Sequence, residues 1–151
     1  MIKVRKLNCG TNIIMEKTDY VQSAALGIWV RAGAADEKEE FSGASHYIEH
    51  MMFKGTEKRT AKEIAADVDK IGGVFNAFTG KEATCYYIKT LSSNIYKGAE
   101  ILLDMLTASR FAPEEMDKER QVICEEIKMV KDTPDDDVYD TISELVSSGN
   151  P

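Results

Sequence analysis

The sequence predicts an α+β domain: a largely antiparallel β-sheet covered by α-helices. Two observations carry that reading. Strand-like runs come in pairs joined by hairpin-sized turns, and amphipathic helical periodicities are inserted between and after those pairs. Composition agrees, since 43% apolar and 30% charged residues are ordinary for a globular protein. At 151 residues the chain is long enough for one compact domain and too short for two ordinary ones.

Taken in order, Val4 to Leu7 and Asn12 to Glu16 read as two strands around Asn8-Cys9-Gly10-Thr11, with Asn and Gly supplying the positive φ of a tight turn. Ser23 to Val30 is a third strand, apolar on both faces, as expected in the middle of a sheet. Arg31 to Glu40 passes from small residues to charge and reads as a loop. A helix follows within Gly43 to Thr56, with Gly55 placed to stop it. Thr60-Ala61-Lys62-Glu63 opens the next helix as a capping box, with Ile64, Val68 and Ile71 as its buried stripe and Gly72-Gly73 as its end.

Val74 to Thr79 and Ala83 to Thr90 form a second strand pair around Thr79-Gly80-Lys81-Glu82. Asn94 to Arg110 is helical, with Ile95, Ala99, Leu102, Leu103 and Leu106 in register. Pro113 suits the first turn of a helix running to Lys131. A last helix, Asp135 to Ser147, carries Val138, Ile142, Leu145 and Val146. Ser148 to Pro151 is turn-like and leads to no closing element, so the chain reads as cut.

Chemistry concentrates between Gly43 and Thr56. The only two histidines of the chain, His46 and His50, stand one helical turn apart with Glu49 between them on the same face. Two imidazoles so spaced suit Zn²⁺, whose catalytic sites use three protein ligands and leave a position for water. Glu49 is the candidate general base toward water acidified by the metal. Ala44, Ile48, Met51 and Met52 fall on the opposite face, which is expected to dock the helix on the core. The order His-x-x-Glu-His inverts that of thermolysin-like proteases and is the signature of inverted zinc peptidases.

A third ligand is sought in the helix from Pro113 to Lys131. Its helical phase puts Glu119 and Glu126 beside the apolar face of Met116, Ile123, Ile127 and Val130, and turns Cys124 and Glu125 away. By itself such a helix reads as a solvated charged face. Beside His46 and His50, metal ligation accounts for inward acids that would otherwise be costly to bury.

The stretch Gly43 to Thr56 resembles the zinc-binding segment of the pitrilysin, insulin-degrading enzyme and mitochondrial processing peptidase family. The resemblance extends to Gly72-Gly73-Val74-Phe75-Asn76-Ala77-Phe78-Thr79, then Tyr86-Tyr87, and to Glu119-Arg120-Gln121-Val122-Ile123-Cys124-Glu125-Glu126. It implies a zinc endopeptidase with His46, His50 and Glu126 as ligands, Glu49 as base and Glu119 supporting catalysis. It also implies an edge strand that receives an extended peptide, with Asn76, Ala77 and Phe78 facing substrate. Family members are longer and two-lobed. The 151 residues would then be most of the first lobe, with a second lobe or partner subunit completing the site; half-length relatives pair up, so a homodimer is a further expectation.

Two other classes stay open. S-ribosylhomocysteine lyase shares the His-x-x-Glu-His signature but takes a cysteine ligand, which Cys85 or Cys124 could supply. A non-catalytic scaffold or partner subunit is the other, although such relatives typically lose part of the signature. The net charge of −7 and pI near 4.9 disfavour nucleic acid and anionic membranes as partners. Three cysteines without C-x-x-C spacing point away from a disulfide framework. No signal core or spanning run is present, and a cytoplasmic protein is expected.

Overall fold

A computed structural model describes residues 2–147. Five strands and five α-helices follow in the order β1 (Ile2–Lys6), β2 (Asn12–Glu16), β3 (Ser23–Val30), α1 (Ala44–Met52), α2 (Ala61–Lys70), β4 (Val74–Thr79), β5 (Thr84–Leu91), α3 (Ile95–Ala108), α4 (Pro113–Lys131) and α5 (Pro134–Ser147). Helices and antiparallel sheets make the α+β class, as the pattern predicts.

The strands form two sheets rather than the expected one. β1 and β2 pair alone, and β3, β5 and β4 form a second sheet with β5 at its centre. β3 is therefore an edge strand and not the central one. Its apolar run misled because Trp29 and Val30 remain exposed, whereas β5 is buried along most of its length. In the first hairpin Gly10 alone supplies a positive φ, of 94°; Asn8 does not.

Strand alternation sorts the second sheet into two faces. Leu26, Ile28, Phe75, Ala77, Tyr86 and Ile88 face the helices and meet Ile64, Val68 and Ile71 from α2 and its end and Ile101, Leu102 and Met105 from α3. The α2 stripe is the predicted one. Its capping box forms, Thr60 accepting from the Glu63 N–H while the Glu63 carboxylate takes the Thr60 N–H. Gly72, at φ 60°, turns the chain out of the helix. On α3 the buried side is rotated from the expected one: Leu103 is exposed, and Gly98, Ile101 and Met105 are buried. A Cβ on Gly98 would lie 3.3 Å from two side-chain carbons of Ile88, so this glycine brings α3 close to β5 and sets which side faces it.

The predicted α5 stripe is not buried, and the α4 stripe only in part. On α5, Val138, Ile142, Leu145 and Val146 are all exposed; on α4, Ile123 is buried and Met116 and Val130 are half-buried, but Ile127 is exposed. Ser148 to Pro151 lies outside the described residues. No helix among the described residues is long and apolar enough to cross a membrane.

Candidate metal centre

Helix α1 begins at a glycine that has no capping side chain, Gly43, at φ 89°. The cap comes from the preceding loop: the Glu37 carboxylate accepts the Gly43 and Ser45 N–H groups, each at 2.6 Å. Burial pushes the Glu37 carboxyl up, but these bonds at a helix N-terminus outweigh it and hold the group below the usual range. On the far side Met51 is fully buried; Ile48, expected to dock with it, is exposed. The other face packs on α4, where the Tyr47 hydroxyl donates to the Met116 carbonyl at 2.5 Å.

That packing brings His46, His50 and Glu126 together. The two Nε2 atoms stand 3.1 Å apart, and Glu126 Oε2 lies 3.4 Å from His50 Nε2 and 3.8 Å from His46 Nε2. Donors at about 2.0–2.1 Å from a tetrahedral zinc are roughly 3.3 Å from one another. The three separations bracket that spacing, and two imidazole lone pairs with a carboxylate oxygen are a zinc donor set. The residues fit the ion.

Glu119 sits behind this group rather than in it. Its Oε1 accepts from His50 Nδ1 at 2.8 Å, and its Oε2 is 2.5 Å from Lys54 Nζ. The carboxylate is buried, which by itself would raise its pKa; the bonds and charges of Lys54 and His50 prevail and keep it below the ordinary range. Holding the proton on Nδ1 leaves the His50 Nε2 lone pair toward His46 and Glu126.

Glu49 is half-buried on α1, and its Oε2 accepts a hydrogen bond from Thr79 Oγ1 at the end of β4. Burial of Tyr86 pushes its hydroxyl up to about 12, and the nearby Glu49 charge adds to the rise. Of the expected peptide-facing residues, Asn76 and Phe78 are exposed on the outer face, Phe78 standing edge-on to Trp29 with ring centroids 5.5 Å apart. Ala77 packs its side chain inward and can offer only its backbone. Asn76 also borders a cavity of about 350 Å³ shared with Glu49, His50, Phe53, Lys54, Phe75 and Glu119.

Neither lyase cysteine joins the donor group. Cys124 is exposed on α4, and Cys85 is buried on the sheet near Gly27 and Trp29. Lys54, Thr79, Tyr47 and Glu37 were not singled out by sequence reasoning. Thr79 could have been found, since alternation places it on the face of Phe75 and Ala77, and Lys54 lies one turn beyond His50.

An α+β scaffold presenting a His-x-x-Glu-His helix against an inward glutamate is the lobe of an inverted zinc metallopeptidase. The family model described as Insulinase (Peptidase family M16) matches residues 12–151. The chain belongs to peptidase family M16. It is 46% identical over 143 residues to an uncharacterized zinc protease of Bacillus subtilis, covering 95% of this chain and 35% of that protein. It is 43% identical to one of Streptomyces coelicolor, covering 93% of this chain and 31% of the relative. A crystal structure of a protease from Helicobacter pylori superposes with a TM-score of 0.79 at 28% identity, covering 83% of this chain and 30% of that one. The chain thus spans about a third of the length of the curated relatives it matches.

Proposed function

We propose that the chain is the zinc-binding part of the first lobe of a longer metalloendopeptidase acting on peptides or unfolded protein segments. The observation that carries this reading is the convergence of His46, His50 and Glu126 beside Glu49. These three residues would hold Zn²⁺, with Glu119 and Lys54 orienting His50. Zinc, when bound, supplies Lewis acidity toward a scissile carbonyl and a water. The Glu49 carboxylate then takes the proton of the attacking water and passes it to the departing amine.

The substrate adds as a strand. β4 pairs only with β5 among the described residues, so its other edge is open. There the Asn76 side-chain carbonyl accepts the Ala77 N–H at 2.8 Å, a bond that a peptide carbonyl could replace. Asn76 and Phe78 would meet alternate side chains of that peptide. A second lobe or a partner subunit, including a second copy, would close over it. An acidic chain favours basic peptides over nucleic acid or anionic membranes, and a cytoplasmic setting fits it.

The test is Glu49→Gln in the intact protein, assayed on an unstructured peptide with zinc content measured alongside. Zinc retained with hydrolysis abolished is the expected result. Unaltered hydrolysis would overturn the role of Glu49, and a native protein without zinc-dependent hydrolysis would favour a scaffold.

A further inference from the structure

Thr79 is placed to do more than end a strand. Its side chain lies on the face of the sheet that α1 covers, and its hydroxyl donates to Glu49 Oε2. A glutamate on a helix surface otherwise rotates freely about its outer torsions, and one oxygen pinned from a different element removes much of that freedom.

The pin itself is anchored. The Gly80 N–H donates to the Ala83 carbonyl at 2.9 Å and closes the β4–β5 turn. The Ala34 and Ala35 N–H groups donate to the Gly80 and Lys81 carbonyls at 3.1 and 2.8 Å. The same loop runs on to Glu37, which caps α1. Turn, loop and helix thus form a ring of contacts that the Thr79–Glu49 bond closes.

We propose that Thr79 is a positioning residue for the general base. It holds one oxygen of Glu49 so that the other is presented to water, and it does so from the strand to which peptide adds. Substrate seated on β4 and the base that serves it are therefore fixed in one frame. This inference rests on the zinc peptidase reading.

The experiment compares native protein, Glu49→Gln, Thr79→Val, Thr79→Ala and Thr79→Ser, all in the intact protein. It measures kcat and KM on an unstructured peptide, zinc affinity by chelator competition, and the thermal midpoint. Removing the hydroxyl is expected to lower kcat by roughly 10-fold or more, the scale of a misplaced catalytic group. KM and zinc affinity should stay near native, and Thr79→Ser should recover most of kcat. Thr79→Ala repeats the test if the valine variant misfolds. Retention of native kcat in both hydroxyl-free variants, a serine variant as poor as alanine, or a loss that follows zinc affinity would each overturn the proposal. Absence of zinc-dependent hydrolysis in the native protein, or its survival in Glu49→Gln, would instead overturn the underlying reading.

Discussion

Glu119 Oε1 lies 2.8 Å from His50 Nδ1, which turns the other nitrogen of the ring toward His46 and Glu126. Carboxylates in this position orient a histidine ligand and raise its basicity, and losing one typically costs 10- to 100-fold, in round terms about 30-fold, in metal affinity. Glu119→Gln is expected to weaken zinc binding by that amount while leaving the helices formed. Chelator competition, with circular dichroism as control, measures both; native affinity in the variant would remove Glu119 from the site.

Glu126 and Cys124 separate two chemistries on neighbouring positions of one helix. Glu126 reaches toward both histidines, and Cys124 is exposed. Elemental analysis of purified intact protein should find zinc in the native form, little in Glu126→Gln and a native amount in Cys124→Ser. Metal lost with Cys124, particularly iron, would point to the lyase type of site.

Much of this site could be read from spacing because a helix converts spacing directly into direction. His46, Glu49 and His50 share a face on any helix, and the phase of α4 put Glu119 and Glu126 inward and Cys124 outward. What spacing cannot encode is which face a neighbouring element covers. Ile48, Ile127 and the α5 stripe lie on apolar faces, yet they are exposed among the described residues. β3 looked central by composition, whereas pairing made β5 central. Lys54 and Thr79 act across elements, through bonds to Glu119 and Glu49. Such contacts exist only after the helix has been set against its partners.

The proposed addition of peptide to β4 makes a prediction about the substrate instead of the protein. An added antiparallel strand uses the N–H groups of alternate residues only. Methylating single backbone nitrogens along a cleaved peptide should raise KM at every second position and leave the intervening ones tolerated. A uniform response would exclude this mode of binding.

Acid should unfold the protein partly through Asp104. Burial alone would raise its carboxyl, but bonds from Thr56 Oγ1 at 2.8 Å and Arg59 Nη1 at 2.6 Å hold it below the usual value. A depressed folded pKa means that the unfolded chain binds the proton first as pH falls. The stabilisation is therefore complete above the ordinary aspartate value of about 3.9 and is lost as pH drops through the folded one. Asp104→Asn is expected to cost about 2 kcal/mol at pH 7, less than a fully buried pair because Arg59 keeps Asp67 and Glu100. In urea titrations the gap between variant and native should shrink as pH falls below the ordinary aspartate value. A gap independent of pH would assign the loss to packing.

Gly33 tests whether the loop that caps α1 depends on its grip on the β4–β5 turn. Its φ of −156° is extended backbone open to any residue, so the demand on glycine is space. A Cβ there would stand 2.4 Å from the Gly80 carbonyl oxygen and 2.6 Å from that of Lys81. Both are backbone atoms, already bonded to Ala34 and Ala35, and cannot step aside as a flexible side chain would. Gly33→Ala must push loop and turn apart, at a cost of roughly 1–3 kcal/mol for overpacking. Gly80→Ala is the control, because its Cβ meets only the Ala83 carbonyl, at 3.3 Å. Urea unfolding should show a clearly lower midpoint for the first variant than for the second. Zinc affinity should fall with the first as well, since Glu37, at the end of the displaced loop, holds the amides that begin the helix of His46 and His50. A destabilised Gly33→Ala protein with native zinc affinity would show that α1 keeps its place through α4, β4 and the core without this loop.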